Sequence, residues 1–180
     1  MKKREKLSKI ITFFFVVFLI WALIQIFAPM MLPANSVKDL SGNVALTDNK
    51  LAIDEMGFPI NLVYSYGDVL CHQKAERSLF INGNQMPFCA RCTAIWFGLA
   101  IGLGFMLFFQ IELDKKFLFL IIIGLLPIGV DGLGQLFGLW ESNNLTRILT
   151  GLLIGFICGL SIVIIIDEIR EIRLSKKIKN

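Results

Sequence analysis

Four stretches of this chain are too long and too apolar to be ordinary elements of a soluble domain: about Ile10–Leu32, Pro87–Gln110, Phe117–Trp140 and Asn144–Ile166. Runs of roughly 18 or more apolar residues read as membrane spans, because a helix of ~20 residues matches the hydrocarbon thickness. Inside a bilayer every backbone N–H and C=O must find a partner within the protein, which leaves the helix as the natural solution. The expected fold is therefore an all-α membrane protein with four transmembrane helices, multi-pass in the cell membrane. The composition agrees: 56% of the residues are hydrophobic and the mean hydropathy is +0.70. No internal repeat or Pro/Gly-rich linker divides the chain.

Charge sets the expected orientation. Of 18 Lys and Arg, twelve fall in segments 1–9, 115–116 and 170–179, and six lie elsewhere. The positive-inside bias then puts both termini in the cytoplasm and the segment before the second span outside. The division that follows is a cytoplasmic basic tip with a signal-anchor helix over 1–32 and an extracytoplasmic loop over 33–88. A three-helix membrane core over 87–166 and a basic cytoplasmic tail over 167–180 complete it. The first apolar run is longer than the ~7–15 residues of a cleaved signal peptide and has no clean cleavage site, so the helix reads as an uncleaved anchor. Basic ends of this kind suit a membrane face rather than a nucleic-acid stripe, so the bilayer, not nucleic acid, is the expected partner.

Locally, the alternation in Asn61-Leu62-Val63-Tyr64-Ser65-Tyr66 suggests a short strand or a segment on the membrane surface. Lys74–Phe80 suits two helical turns, Asn82-Gly83-Asn84 signals a turn, and Pro87 suits the first turn of the second span. Short connections make spans two, three and four antiparallel neighbours. Phe13, Phe14, Phe15 and Phe18 read as lipid-facing bulk. Gly98, Gly102 and Gly104, and then Gly151, Gly155 and Gly159, read as small-residue packing faces, with Cys158 a small buried filler among the latter.

The unusual polar residues collect at one end of this topology. Asp131 lies in the third span, nine residues before Trp140, roughly 13 Å along the helix. Gln135 follows one turn later on the same face. Asn144, Arg147 and Thr150 open the fourth span, and Arg91 opens the second. A carboxylate within a span costs at least ~2.5–3.5 kcal/mol, so it faces protein or water and is paired. Arg147 or Arg91 is the natural partner of Asp131, as a structural ion pair, as a charge beside a reactive site, or as both. Asp131, Arg147, Arg91, His72, Gln135 and Asn144 are the candidate reactive groups. Trp140 reads as an interface anchor.

Three of the four cysteines and the sole histidine fall between positions 71 and 92. Cys89-Ala90-Arg91-Cys92 has the spacing of a metal knuckle and of a redox pair. Cys71-His72 placed 18 residues earlier adds weight to metal, because thiolates and imidazole suit zinc. Side chains of adjacent residues diverge, so Cys71, Cys89 and Cys92 are the expected zinc ligands, with His72 as fourth ligand or as a partner behind them. An open fourth position would permit Lewis-acid chemistry or water activation, making the protein a metalloenzyme of unspecified substrate. A thiol–disulfide oxidoreductase using Cys89 and Cys92, with a quinone or other lipid-like ligand, is the alternative. No second pair of loop cysteines is available to it. A third reading is a non-catalytic scaffold or channel, and a structural disulfide joining the loop to the second span is the plainest use of the thiols.

Taken together, Cys71-His72-Gln73, Glu76-Arg77-Ser78, Gly83, Pro87 and Cys89-Ala90-Arg91-Cys92-Thr93 resemble the signature of an uncharacterised family of small prokaryotic membrane proteins, a domain of unknown function. Asp131-Gly132, Gln135, Asn143-Asn144, Arg147 and Thr150-Gly151 resemble that family's second half, and Ala94 stands where glycine is expected. The resemblance covers about residues 65–160. It implies that loop and polar set form one unit, and it implies no activity.

Overall fold

A computed structural model describes residues 2–109 and 111–179, with side chains over 8–109 and 111–176. Four helices are long and apolar enough to cross a membrane: Ser8–Met30, Ala90–Phe108, Lys115–Leu136 and Asn144–Lys176. They lie within α1 (Lys2–Met30), α4 (Ala90–Phe108), α5 (Lys115–Leu136) and α6 (Asn144–Lys179). The expected end of the second span at Gln110, the basic tip and the last tail residues fall outside the described side chains. Beyond the expected end of the fourth span near Ile166, α6 continues into the basic tail for 36 residues in all, roughly 54 Å.

Between α1 and α4 the chain builds a small head from α2 (Lys50–Asp54), α3 (Ile60–Leu70), a 3₁₀ turn (Ala75–Arg77) and the strands β1 (Ser78–Ile81) and β2 (Asn84–Cys89). Three local expectations are corrected here. Residues 61–66 are helical, because Ile60, Val63, Tyr64 and Gly67 are buried at the i, i+3, i+4, i+7 spacing of one helix face. The alternation read from six residues was a fragment of that longer period. Lys74–Phe80 makes one 3₁₀ turn and then β1. The reason is the turn that follows: Asn82 (φ 55°) and Gly83 (φ 71°) both take positive φ, the geometry of a two-residue hairpin turn. Pro87 lies in β2, and α4 begins only after its cap at Cys89.

The head has its own core, in which Val37, Leu40, Ile53, Ile60, Val63 and Tyr64 pack with Ala28 of α1 and Leu32 just beyond its end. Buried amides join the parts. Asn84 accepts the backbone N–H groups of Ser36 (2.8 Å) and Val37 (3.0 Å) and donates to the carbonyls of Pro29 (2.9 Å) and Pro33 (3.0 Å). It thereby satisfies a carbonyl that the end of α1 leaves unpaired. Gln73 donates to the Pro87 carbonyl (2.7 Å), and the Tyr64 hydroxyl to the Gln85 carbonyl (2.7 Å).

In the bundle, α4 packs mainly on α6 and α1, while α5 lies against α6. The expectation of antiparallel neighbours therefore fails for α4, whose main partner α6 runs parallel to it. A Cβ at Gly98 would sit 2.3 Å from the Leu152 carbonyl oxygen, and one at Gly155 would sit 2.2 Å from that of Ile95. Gly102, Gly151 and Gly159 meet the facing backbone in the same manner. The pairs step together by four residues on both helices, which only a parallel seam allows, and close backbone approach is what small residues contribute between membrane helices. Two further expectations are corrected. Cys158 is exposed on the outer side of α6, one residue off the buried Ile157 stripe. Phe14, Phe15 and Phe18 pack against the core, and Phe13, 62% exposed, faces outward with its ring against the edge of Phe14.

Gly155→Val should break this seam, with a loss of about 1–3 kcal/mol from overpacking. Gly132→Ala, where a Cβ meets nothing within 4 Å, should leave unfolding in mixed micelles unchanged. Equal losses in the two variants would contradict the seam.

Candidate functional site

The head delivers Cys71 to the start of α4. Cys71 ends α3 in extended conformation, with its N–H on the Gly67 carbonyl (2.9 Å). Cys89 is the last residue of β2 and the N-cap of α4, and Cys92 lies in the first turn of α4. The three sulfurs all lie within 4.8 Å of one another. Cys71 is buried and the other two are half-buried. The Cys89 N–H donates to the Cys71 sulfur (3.2 Å). The thiols of Cys71 and then Cys92 donate to the Cys89 sulfur, and the backbone N–H groups of Cys92 and Arg91 add to them, holding the Cys89 thiol well below the ordinary range. Its role as acceptor pushes the Cys71 thiol up. A helix N-terminus favours a thiolate in this position. Three convergent sulfurs, one of them readily ionised, can hold a metal ion.

His72 does not join them. It is exposed and outside the sulfur group, because consecutive side chains diverge where the chain leaves α3 in extended form. Its neighbour Gln73 turns inward instead, with φ 33° and no exposure, and braces β2. Gly42 permits this path, since a Cβ there would lie 1.2 Å from the His72 carbonyl oxygen.

Beside the sulfurs runs a polar network centred on Asp131, which is 5% exposed. Arg91, not Arg147, is its ion-pair partner, through Nη2 to Oδ2. The same oxygen accepts Gln135 Nε2 (3.0 Å) and Ser142 Oγ (3.0 Å), and Oδ1 accepts the Trp140 indole N–H (3.3 Å). Gln135 carries the network onward, its Oε1 accepting Arg147 Nη2 (3.4 Å). Arg147 Nη1 donates to Asn144 Oδ1 (3.2 Å) and to the Glu76 carbonyl (3.3 Å), and Asn144 donates to the Ser78 carbonyl (3.1 Å). Thr150 turns its hydroxyl back onto its own helix, to the Thr146 carbonyl (2.9 Å). Two members have no sequence signal as site residues. Trp140 reads as an interface anchor, and Ser142 reads as loop, because only the bend after α5 returns them to the carboxylate.

The fold and this site define a multi-pass membrane protein with a cluster of three cysteines at the end of its bundle. It belongs to the family of predicted membrane proteins designated DUF2085, whose model matches residues 71–161. That match begins at Cys71 and takes in every candidate site residue. The chain is similar to an uncharacterized protein of Methanocaldococcus jannaschii, 39% identical over 119 residues, covering 65% of this chain and 74% of that protein. It is also similar to an uncharacterized protein of Methanothermobacter thermautotrophicus, 33% identical over 94 residues, covering 52% of this chain and 83% of the relative. No solved structure matches.

Replacement of the Asp131 carboxylate separates charge from shape. Asp131→Asn should cost about 1–3 kcal/mol, because the Arg91 guanidinium keeps its place but loses its counter-charge. Adding Arg91→Gln should restore part of that loss. Unfolding in mixed micelles checks both, and strictly additive losses would show that the two groups are not coupled.

Proposed function

We propose that this protein is a metal-binding membrane protein in which Cys71, Cys89 and Cys92 hold one zinc ion on the extracytoplasmic side. The observation that carries the reading is the convergence of three sulfurs from two separate segments, with Cys89 as the natural first thiolate. Thiolate ligands suit zinc, and three protein ligands with a fourth position left for water or substrate is the pattern of catalytic rather than structural zinc. The ion would act there as a Lewis acid or lower the pKa of a bound water. The exposure of His72 favours an exchangeable fourth ligand over a closed site. Arg91 links the two halves of the site, since it stands between two of the ligands in sequence and pairs with Asp131. The chemistry expected is metal-assisted attack on a substrate that the Asp131–Gln135–Arg147–Asn144 line binds and orients.

A second reading rests on the placement of Cys89 and Cys92 at the N-terminus of α4 with their sulfurs within 4.8 Å of each other, which would also suit a thiol pair that exchanges disulfides with a lipid-soluble oxidant such as a quinone. Metal content and thiol state separate the two. Protein purified in detergent under reducing conditions should carry about one zinc per chain. Cys71→Ser, Cys89→Ser and Cys92→Ser should each lose it, and Cys158→Ser and His72→Ala should keep it. Metal-free protein with a Cys89–Cys92 disulfide would sink the metal reading in favour of redox exchange.

A further inference from the structure

Three arginines, Arg77, Arg91 and Arg147, lie at the same end of the bundle as the sulfurs, and their counter-charges do not match them. Arg91 is committed to Asp131. Arg147, only 3% exposed, has three neutral acceptors at 3.2–3.4 Å. These are long beside the ~2.7–2.9 Å of a guanidinium on an anion. Arg77 lies in the 3₁₀ turn, between Glu76 and Ser78, whose carbonyls are the very ones held by Arg147 and Asn144.

The negative groups are engaged elsewhere. Asp131 already accepts four side-chain donors, about the capacity of a carboxylate. Cys89 belongs to the sulfur cluster. Glu76 reaches Arg77 only at 4.0 Å, with its side chain 60% exposed. Exposed His72 and Lys74 add donors on the rim of the same loop. A buried arginine paired with neutral acceptors alone, with a second arginine in the turn whose Glu76 carbonyl it holds, suits an oxyanion taken in two-pronged fashion.

We infer that Arg77 and Arg147 form a binding site for a phosphate-class oxyanion, supplied by a phospholipid headgroup or by a soluble phosphate, beside the cysteine cluster. This deepens the proposed metal site by naming its ligand class, and it rests on that reading only for the chemistry after binding. Arg147 sits at the bottom of the site, and Arg77 closes over the anion from the loop. Arg91 keeps Asp131 from competing for either.

The test uses the full chain in micelles of a phosphate-free detergent, with metal content measured on the same samples. Inorganic phosphate and phosphatidic acid are each titrated against potassium chloride at equal ionic strength, with thermal shift as readout. Stabilisation by phosphate identifies the soluble source, and stabilisation by phosphatidic acid alone identifies the headgroup; either supports the site. Arg77→Gln, a half-exposed position, should fold and keep its metal yet bind the active probe at least about tenfold more weakly. Arg147→Gln should bind more weakly still. Cys89→Ser should lose metal and still bind the anion, so failure of the metal reading alone remains visible. The proposal is overturned if neither probe stabilises the protein beyond the chloride control, or if Arg77→Gln binds like the parent.

Discussion

The hydrogen bonding of one buried carboxylate organises this end of the molecule. Asp131 sits in a span, where an unpaired charge would be expelled or neutralised. It is satisfied by donors from three places: Arg91 at the start of α4, Gln135 one turn along α5, and Trp140 and Ser142 from the connection to α6. That fixes how α4 and α5 stand to each other at the site end, although α5 otherwise lies against α6. Through Gln135 the same network holds Arg147, and through Arg147 and Asn144 it holds the turn at Glu76–Ser78. The hairpin, and with it the return of Cys89 to Cys71, is positioned from below by this chain of contacts.

From above, the hairpin is positioned by amides. Asn84 and Gln73, both fully buried, tie β2 to the end of α1 and to the exit of α3. Asn49 joins in by donating to Asp68 on α3 (2.6 Å). Such groups are expensive to bury unless fully paired, and when paired they specify one arrangement. The cysteines therefore converge because two polar frameworks, one in the head and one in the bundle, meet at the strand that carries Cys89. The aromatic contacts of Trp21 with Phe88 (6.0 Å) and Trp96 (6.1 Å) fill the space beneath them.

The four spans were legible because bilayer thickness leaves few other uses for such runs, and the three cysteines because their spacing and company are unusual. The partner of Asp131 was legible only as a choice of two, since both arginines start helices at the same end. The helix at 60–70 was obscured because six residues of its pattern mimic strand alternation. The parallel seam of α4 and α6 was not legible, because the glycines mark close packing without naming which helix they face. Trp140 and Ser142 carry no pattern at all; their role exists only once the chain bends back over α5. The adjacency of His72 to Cys71 suggested shared chemistry, yet the extended exit from α3 sends the two side chains apart.

The membrane bundle gathers three sulfurs and a polar line through Asp131, Gln135, Arg147 and Asn144 at one end, and the proposed zinc ion would sit at the sulfurs. The most direct measurement is X-ray absorption at the zinc edge on detergent-purified protein, because it reads the coordination shell itself. The account predicts three sulfur neighbours at about 2.3 Å and one lighter oxygen or nitrogen neighbour at about 2.0–2.1 Å. Cys158→Ser should leave that spectrum unaltered. A shell of oxygen and nitrogen ligands without sulfur would contradict it, as would a spectrum unchanged by Cys89→Ser.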